Sequence, residues 1–211
     1  MDHFYRKVPG WGAFIDFYRD AVREAPQSGA RFVEIGSFKG RSAVFMAVEI
    51  VNSGKTIFFD CVDPWTDGGP DLKHKGYKNL YAEFLRNTAP VATIIKPVRL
   101  PSLEAVPLYP DASLDLVLID GSHVYEDVLA DILAWSLKVK PGGVLAGDDY
   151  GWPGVKRACD EIFGFDVGDG PPGKTVPKAC WRVRRAKGPD VSTREIEIYG
   201  TTFYAEPYNA G

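Results

Sequence analysis

From residue 31 onward, short apolar runs alternate with amphipathic ones. The runs 31–35, 55–62, 92–98, 114–119 and 144–146 are rich in Val, Ile, Leu and Phe and lie between polar, Gly or Pro residues, so they predict strands. The run 55–62 is continuous, as in a parallel strand covered on both faces. Between these runs, 42–51, 79–87, 124–139 and 155–163 predict helices. In 124–139 the residues Val124, Val128, Leu129, Ile132 and Trp135 share one side, whereas 42–51 is apolar nearly all round and therefore buried. Pro141-Gly142-Gly143 predicts a turn before the fifth strand. Two late runs, 179–183 and 195–199, predict further strands. The link 184–194 has no helical pattern, which allows an antiparallel hairpin.

Ahead of this alternation, residues 11–24 place Trp11, Phe14, Ile15, Phe17, Tyr18, Ala21 and Val22 near helical period, and Pro26 with Gly29 ends the segment. This predicts an amphipathic helix packed on, or capping, the main domain. The organisation read is an N-terminal helical cap over 1–30 and one domain over 31–211. Strand–helix alternation predicts the α/β class, a Rossmann-like doubly wound and mostly parallel sheet. Segments 63–76 and 164–177 are rich in Gly and Pro and predict loops.

Charge and composition narrow the function classes. A chain of 211 residues can bury a substantial core, and a net charge of -3 gives no basic face for nucleic acid. Arg182, Arg184, Arg185 and Lys187 alternate as the solvated side of a strand would. Cys61, Cys159 and Cys180 are far apart and odd in number, which argues against a zinc site or a disulfide framework. They read as small buried residues in a reducing compartment. No signal-peptide core and no membrane-length apolar run is seen, so the expectation is a cytoplasmic protein without membrane or nucleic-acid partners.

The chemistry starts at Val33-Glu34-Ile35-Gly36-Ser37-Phe38-Lys39-Gly40-Arg41-Ser42. A strand, a glycine-bearing loop and a helix start follow one another, an order that lets backbone approach a nucleotide-like ligand. Dinucleotide-binding loops carry a third glycine where Phe38 stands, which disfavours NAD. Asp63 follows the second strand, where a carboxylate can accept hydrogen bonds from a ribose diol; alternatively it caps a turn before Pro64. Glu34 either meets a ligand amine or holds the loop through backbone N–H groups.

This glycine loop, the ribose-type acid and the later segments IDGSH (119–123) and GGVLAGDDY (142–150) resemble a class I S-adenosylmethionine-dependent methyltransferase, in particular the metal-dependent branch that resembles macrocin O-methyltransferases. The resemblance covers about 31–163. It implies a seven-stranded sheet ending in an antiparallel hairpin, matching the seven strands read above. It implies S-adenosylmethionine as methyl donor, with Glu34, Gly36 and Gly40 along its methionine and ribose portion, Ser37 and Phe38 shaping the loop, Asp63 on the ribose and Ser102 at the adenine. Ser102 reads equally as a helix N-cap, and Trp65 as a cofactor neighbour or a loop anchor.

Asp120 ends the fourth strand, and Asp148 and Asp149 end the fifth. Carboxylates converging at neighbouring strand ends repel, and a divalent cation with hard oxygen ligands, Mg²⁺ first, relieves this. The resemblance places the metal on the same three aspartates and adds Asp120 to the cofactor contacts. The other readings are a turn with a helix cap, or a proton shared between two acids. His123 reads as general base or as a partner of Asp120 at a helix start; Asp120 and His123 are the candidate catalytic residues. His74 lies in a Lys-rich loop and reads as solvated or near a substrate phosphate.

The expected function is transfer of a methyl group to a hydroxyl of a small molecule, such as a sugar or glycosylated natural product. Substrate contacts are expected from the N-terminal segment, 67–81 and 164–177. The alternatives are a non-catalytic S-adenosylmethionine-binding module, a metal-independent methyltransferase using His123, and an NAD-dependent oxidoreductase. A homo-oligomer is compatible with the sequence.

Overall fold

The structure is a computed structural model and describes residues 1–12, 15–66, 77–164, 180–187 and 195–205. The chain forms two compact units, Met1–Ala105 and Val106–Gly211. The fold is α/β and Rossmann-like, with mostly parallel strands and a C-terminal antiparallel hairpin.

The first unit contains α1 (Ile15–Glu24), β1 (Ser28–Ile35), α2 (Arg41–Ser53), β2 (Thr56–Val62), α3 (Leu80–Thr88), β3 (Ile95–Val98) and the one-turn α4 (Ser102–Ala105). Its strands run in parallel in the order β3-β2-β1. As its composition predicts, α2 is buried along most of its length. Helix α1 buries Phe17, Tyr18 and Val22 and packs on α2. The C-terminal carbonyls of α1 are collected by one cation: Lys55 Nζ donates to the oxygens of Val22 at 2.8 Å, Arg23 at 2.7 Å and Ala25 at 2.6 Å. Cations suit this end of a helix, where carbonyls lack intrahelical partners. Phe14 lies outside the described residues.

Coverage of β2 on both faces holds only towards its C-terminal end. Thr56 is exposed and Phe58 is 55% exposed, so the strand starts by alternating outward and inward. Phe58 pairs with Arg31, whose guanidinium lies 5.7 Å from the ring centroid, and Asp60 pairs with Lys96 at 3.2 Å. The Arg31 stem lies against the apolar ring and covers part of it.

The second unit contains β4 (Leu114–Ile119), α5 (Tyr125–Ser136), β5 (Val139–Gly147), α6 (Pro153–Phe163), β6 (Trp181–Arg185), β7 (Glu195–Ile198) and β8 (Thr201–Ala205). Its strand order is β4-β5-β6-β8-β7, parallel between β4 and β5 and antiparallel thereafter. Two expectations are corrected. Pro141-Gly142-Gly143 lies inside β5, where the pairing with β4 shifts between Leu114 and Leu116, so the three residues are absorbed as an irregularity. Arg184 Nη1 donates to the Gly142 oxygen at 3.0 Å and Arg185 Nη1 to that of Val139 at 2.5 Å. These arginines are half-buried tethers rather than a solvated face.

The second correction concerns strand number and partners: the described residues form eight strands, not seven. The hairpin joins β7 to β8 through Tyr199 and Gly200, both at positive φ (48° and 74°), as a two-residue turn of the type that matches strand twist requires. Strand β8 lies between β6 and β7. No described helix is long and apolar enough to cross a membrane. Cys61, Cys159 and Cys180 are buried and unpaired with one another.

Candidate active site

In the first unit, β1 delivers its chain to α2 through a loop with three left-handed residues: Gly36 (φ 89°), Phe38 (φ 45°) and Gly40 (φ 87°). Gly40 needs its hydrogen side chain for packing as well, since a Cβ there would sit 2.8 Å from Thr88 Cγ2 and 3.1 Å from Phe84. Gly40 is also the N-cap of α2 and supplies no side-chain cap, so the first N–H groups of that helix are left to other partners.

Phe38 occupies a conformation that costs a bulky residue on the order of 1–3 kcal/mol. It is held from both sides. Its N–H donates to Asp63 Oδ2 at 2.9 Å, and its carbonyl accepts from Trp65 Nε1 at 2.7 Å. Asp63 Oδ1 accepts the Trp65 N–H at 2.6 Å. Asp63 is therefore the knot of the loop, as its turn-capping reading foresees, and each of its oxygens retains a further lone pair. Burial pushes its carboxyl up from the ordinary aspartate value, and the two backbone N–H bonds pull it back. Trp65 is a loop anchor: it is buried, with ring centroids of Phe84 at 4.5 Å and Tyr81 at 5.0 Å. Ser102 opens α4, four residues past the end of β3.

Glu34 is fully buried, and its Oε2 accepts the Tyr18 hydroxyl from α1. Its Oε1 and the Ser37 Oγ have no hydrogen-bond partner. Burial raises the Glu34 carboxyl above its usual value; the hydrogen bond from the Tyr18 hydroxyl is the largest effect that offsets this in part, and Asp63 adds to it.

In the second unit, Asp120 follows β4 and Asp148-Asp149 follow β5, with the Asp148 N–H donating to the Ile119 oxygen at 3.2 Å. One ligand atom each from Asp120, His123 and Asp149 lies within 4.8 Å of the others. His123 Nε2 is 2.8 Å from Asp149 Oδ2. The imidazole also stacks on the Trp152 indole, with centroids 4.5 Å apart and planes at 13°. Asp149 sits at φ 60°, a value aspartate tolerates better than most residues, and this turns it from the direction of Asp148. Asp148 is buried, accepts from the Cys180 thiol at 3.5 Å, and lines a small recess with Asp120, His123, Val155 and Trp181. Burial raises the Cys180 thiol well above its ordinary value, reinforced by Asp148, Asp120 and Asp149 in turn.

Of the three expected acids, Asp120 and Asp149 each bring a ligand atom to the group that also contains His123, whereas Asp148 faces Cys180. Two oxygens and one imidazole nitrogen can hold a divalent cation. The same atoms form a carboxylate-oriented imidazole suited to take a proton. His123 precedes α5 by two residues, and Glu126 lies in the first turn of that helix as its dipole reading requires. Tyr125 is engaged elsewhere, donating to Glu161 at 2.6 Å beneath the Arg157 guanidinium. His74, most of 67–81 and most of 164–177 lie outside the described residues. Sequence reasoning missed Trp152 and Tyr18. Trp152 follows the acid pair closely in sequence, but nothing in its spacing pairs it with His123. Tyr18 reads as one more apolar position of an amphipathic helix.

A family model described as a methyltransferase domain matches residues 33–150, more than half of the chain. The chain belongs to this methyltransferase family. The matched region starts inside β1 and ends just after Asp149, so it contains the loop of the first unit and the acid–histidine group of the second. Beyond the family match, the uncharacterized protein y4gI of Sinorhizobium fredii is 29% identical over 154 residues, covering 70% of this chain. This methyltransferase chain spans only 16% of that relative's length. Among solved structures, a Corynebacterium glutamicum protein is similar with a TM-score of 0.53 at 12% identity, covering 98% of this chain and 87% of that one. An S-adenosylmethionine-dependent O-methyltransferase from Thermotoga maritima has a TM-score of 0.53 at 12% identity, covering 74% and 51%. Cofactor-bound Rv0187 from MTB has a TM-score of 0.51 at 19% identity, covering 78% and 73%. At these identities the likeness is one of fold.

Proposed function

We propose that the chain is an S-adenosylmethionine-dependent methyltransferase acting on a hydroxyl of a small molecule. The observation that carries this reading is the Asp149–His123 pair beside Asp120 in a chain of the methyltransferase family. The first unit is assigned the donor. Its loop offers the α2 N–H groups, the spare lone pairs of Asp63, and two buried polar atoms that a ligand's donor groups can satisfy. The second unit is assigned the proton.

Asp149 accepts one imidazole N–H and orients the ring, and in this reading the second ring nitrogen of His123 serves as the base. The acceptor hydroxyl gives its proton to that nitrogen. Its oxygen forms a bond to the methyl carbon while the carbon–sulfur bond breaks, and the sulfonium becomes a neutral thioether. The imidazolium then returns its proton to solvent. Asp120, Asp149 and His123 also suit a divalent cation, which when bound would lower the pKa of the acceptor hydroxyl. The imidazole nitrogen in the set widens the choice beyond Mg²⁺ to Mn²⁺ and other transition ions. Cytoplasmic residence goes with the three buried thiols.

The test is donor titration followed by acceptor screening, in chelator and with Mg²⁺ or Mn²⁺ restored. Asp149→Asn keeps the shape and removes the charge that orients His123. It is expected to retain donor affinity and lose turnover by about 10²-fold or more, the usual worth of general-base catalysis. Full turnover in this variant removes the assignment. Activity that survives exhaustive chelation selects the metal-free base over the metal-assisted reading. Donor binding without turnover on any acceptor, unaffected by Asp149→Asn, selects a non-catalytic binding module.

A further inference from the structure

The donor loop contains a carboxylate with one oxygen engaged and one not, and the residue engaging it comes from outside the family-matched region. Glu34 is fully buried. Its Oε2 accepts the hydroxyl of Tyr18, which is itself fully buried in α1. Its Oε1 has no hydrogen-bond partner, and neither has the Ser37 Oγ three residues on. A buried carboxylate is costly unless a donor or a cation completes its bonding. The chemical complement of Glu34 Oε1 is therefore a group that brings both positive charge and N–H bonds, and the Ser37 hydroxyl can accept a second N–H from the same group. The donor assigned to this unit has such a group in the ammonium of its amino-acid arm.

A packing role alone does not account for Tyr18. With no exposed surface, phenylalanine would bury the same ring without a hydroxyl that needs a partner. The N-terminal segment also meets the loop at two further points. Trp11 stacks on Phe38 with centroids 5.6 Å apart, and Arg41 Nη1 donates to the Gly10 oxygen at 2.8 Å. The segment ahead of α1 is thus held against the same loop that lies next to the acid α1 contacts.

We propose that Tyr18 is a positioning residue of the donor site: its hydroxyl occupies Glu34 Oε2 and leaves Oε1, beside Ser37 Oγ, as the acceptor for the ammonium of the donor's amino-acid arm. This rests on the donor reading above and extends the site to the N-terminal helix.

The experiment compares two probes by calorimetric titration of the full chain. S-adenosylhomocysteine carries the amino-acid arm, and 5′-methylthioadenosine lacks it. Tyr18→Phe is expected to weaken the first about tenfold, the lower range for a hydrogen bond to a charged group, and to leave the second within about twofold. Glu34→Gln should likewise lower the preference for the first probe, and the double variant should bind no more weakly than Glu34→Gln alone. Unchanged binding of S-adenosylhomocysteine by Tyr18→Phe, or equal weakening of both probes, overturns the proposal. Should Tyr18→Phe fail to fold, Glu34→Gln decides: an unchanged preference between the probes overturns it. Wild-type protein that binds neither probe defeats the donor reading itself, an outcome distinct from the others.

Discussion

Gly154→Ala separates two physical effects of opposite sign. Gly154 lies in the first turn of α6, where alanine is the better helix former by up to about 1 kcal/mol. Propensity alone predicts a more stable protein. The structure predicts the reverse. A Cβ at Gly154 would lie 2.9 Å from the Tyr125 N and 3.2 Å from the His123 carbonyl carbon, and nearer still to the His123 carbonyl oxygen. All three are backbone atoms, so no rotamer change can make room. Relief requires α6 and the 123–125 segment to separate by roughly 1 Å, and overpacking of this kind costs about 1–3 kcal/mol. Because the clash is with backbone, the cost falls at the upper end of that range, and the net expectation is a loss of about 2 kcal/mol in urea denaturation once the propensity gain is subtracted. The displaced segment carries His123, so turnover should fall by roughly 10²-fold while donor affinity, assigned to the first unit, stays at the wild-type value. A Gly154→Ala protein as stable as wild type or more so would refute the close packing of α6 on this segment.

Two further outcomes test the first unit. Because burial raises the Glu34 carboxyl, the native state holds this proton to higher pH than the unfolded chain does. The group's contribution to stability is therefore greatest below the ordinary value of 4.5 and falls as pH rises through the raised native value. Glu34→Gln should match wild type near pH 4 and exceed it in melting temperature near pH 8, and a pH-independent difference would contradict the direction of the shift. Lys55→Met keeps the stem but removes three hydrogen bonds to the end of α1, and should cost about 1–3 kcal/mol in chemical denaturation. No loss would show that water serves those carbonyls equally well.

Element types were legible wherever apolar periodicity was strong: the 114–119 run is β4 to the residue, and α2 is as buried as its composition requires. Legibility failed where tertiary partners overrode local signals. Pro141-Gly142-Gly143 has turn chemistry, yet β4 and the arginines of β6 hold it inside a strand. Tyr199-Gly200 lacks the usual asparagine or aspartate of a tight hairpin, so the predicted strand stops at 199 and β8 goes unread. Phe38 stands where a glycine was expected because Asp63 and Trp65 impose the backbone conformation from a distance of 25 and 27 residues in sequence. The acids at 120, 148 and 149 were visible as strand-end residues, but which of them turns towards His123 depends on the left-handed backbone of Asp149, which no spacing encodes.

The strand order β6-β8-β7 places the last described strand inside the sheet, with β7 on its outer side. Phe203 of β8 is fully buried and pairs on one side with Arg185 and on the other with Ile196. The tail is thus a keystone rather than a fringe. Digestion that clips the chain near Tyr199 would strip two neighbours of their shared ladder at once.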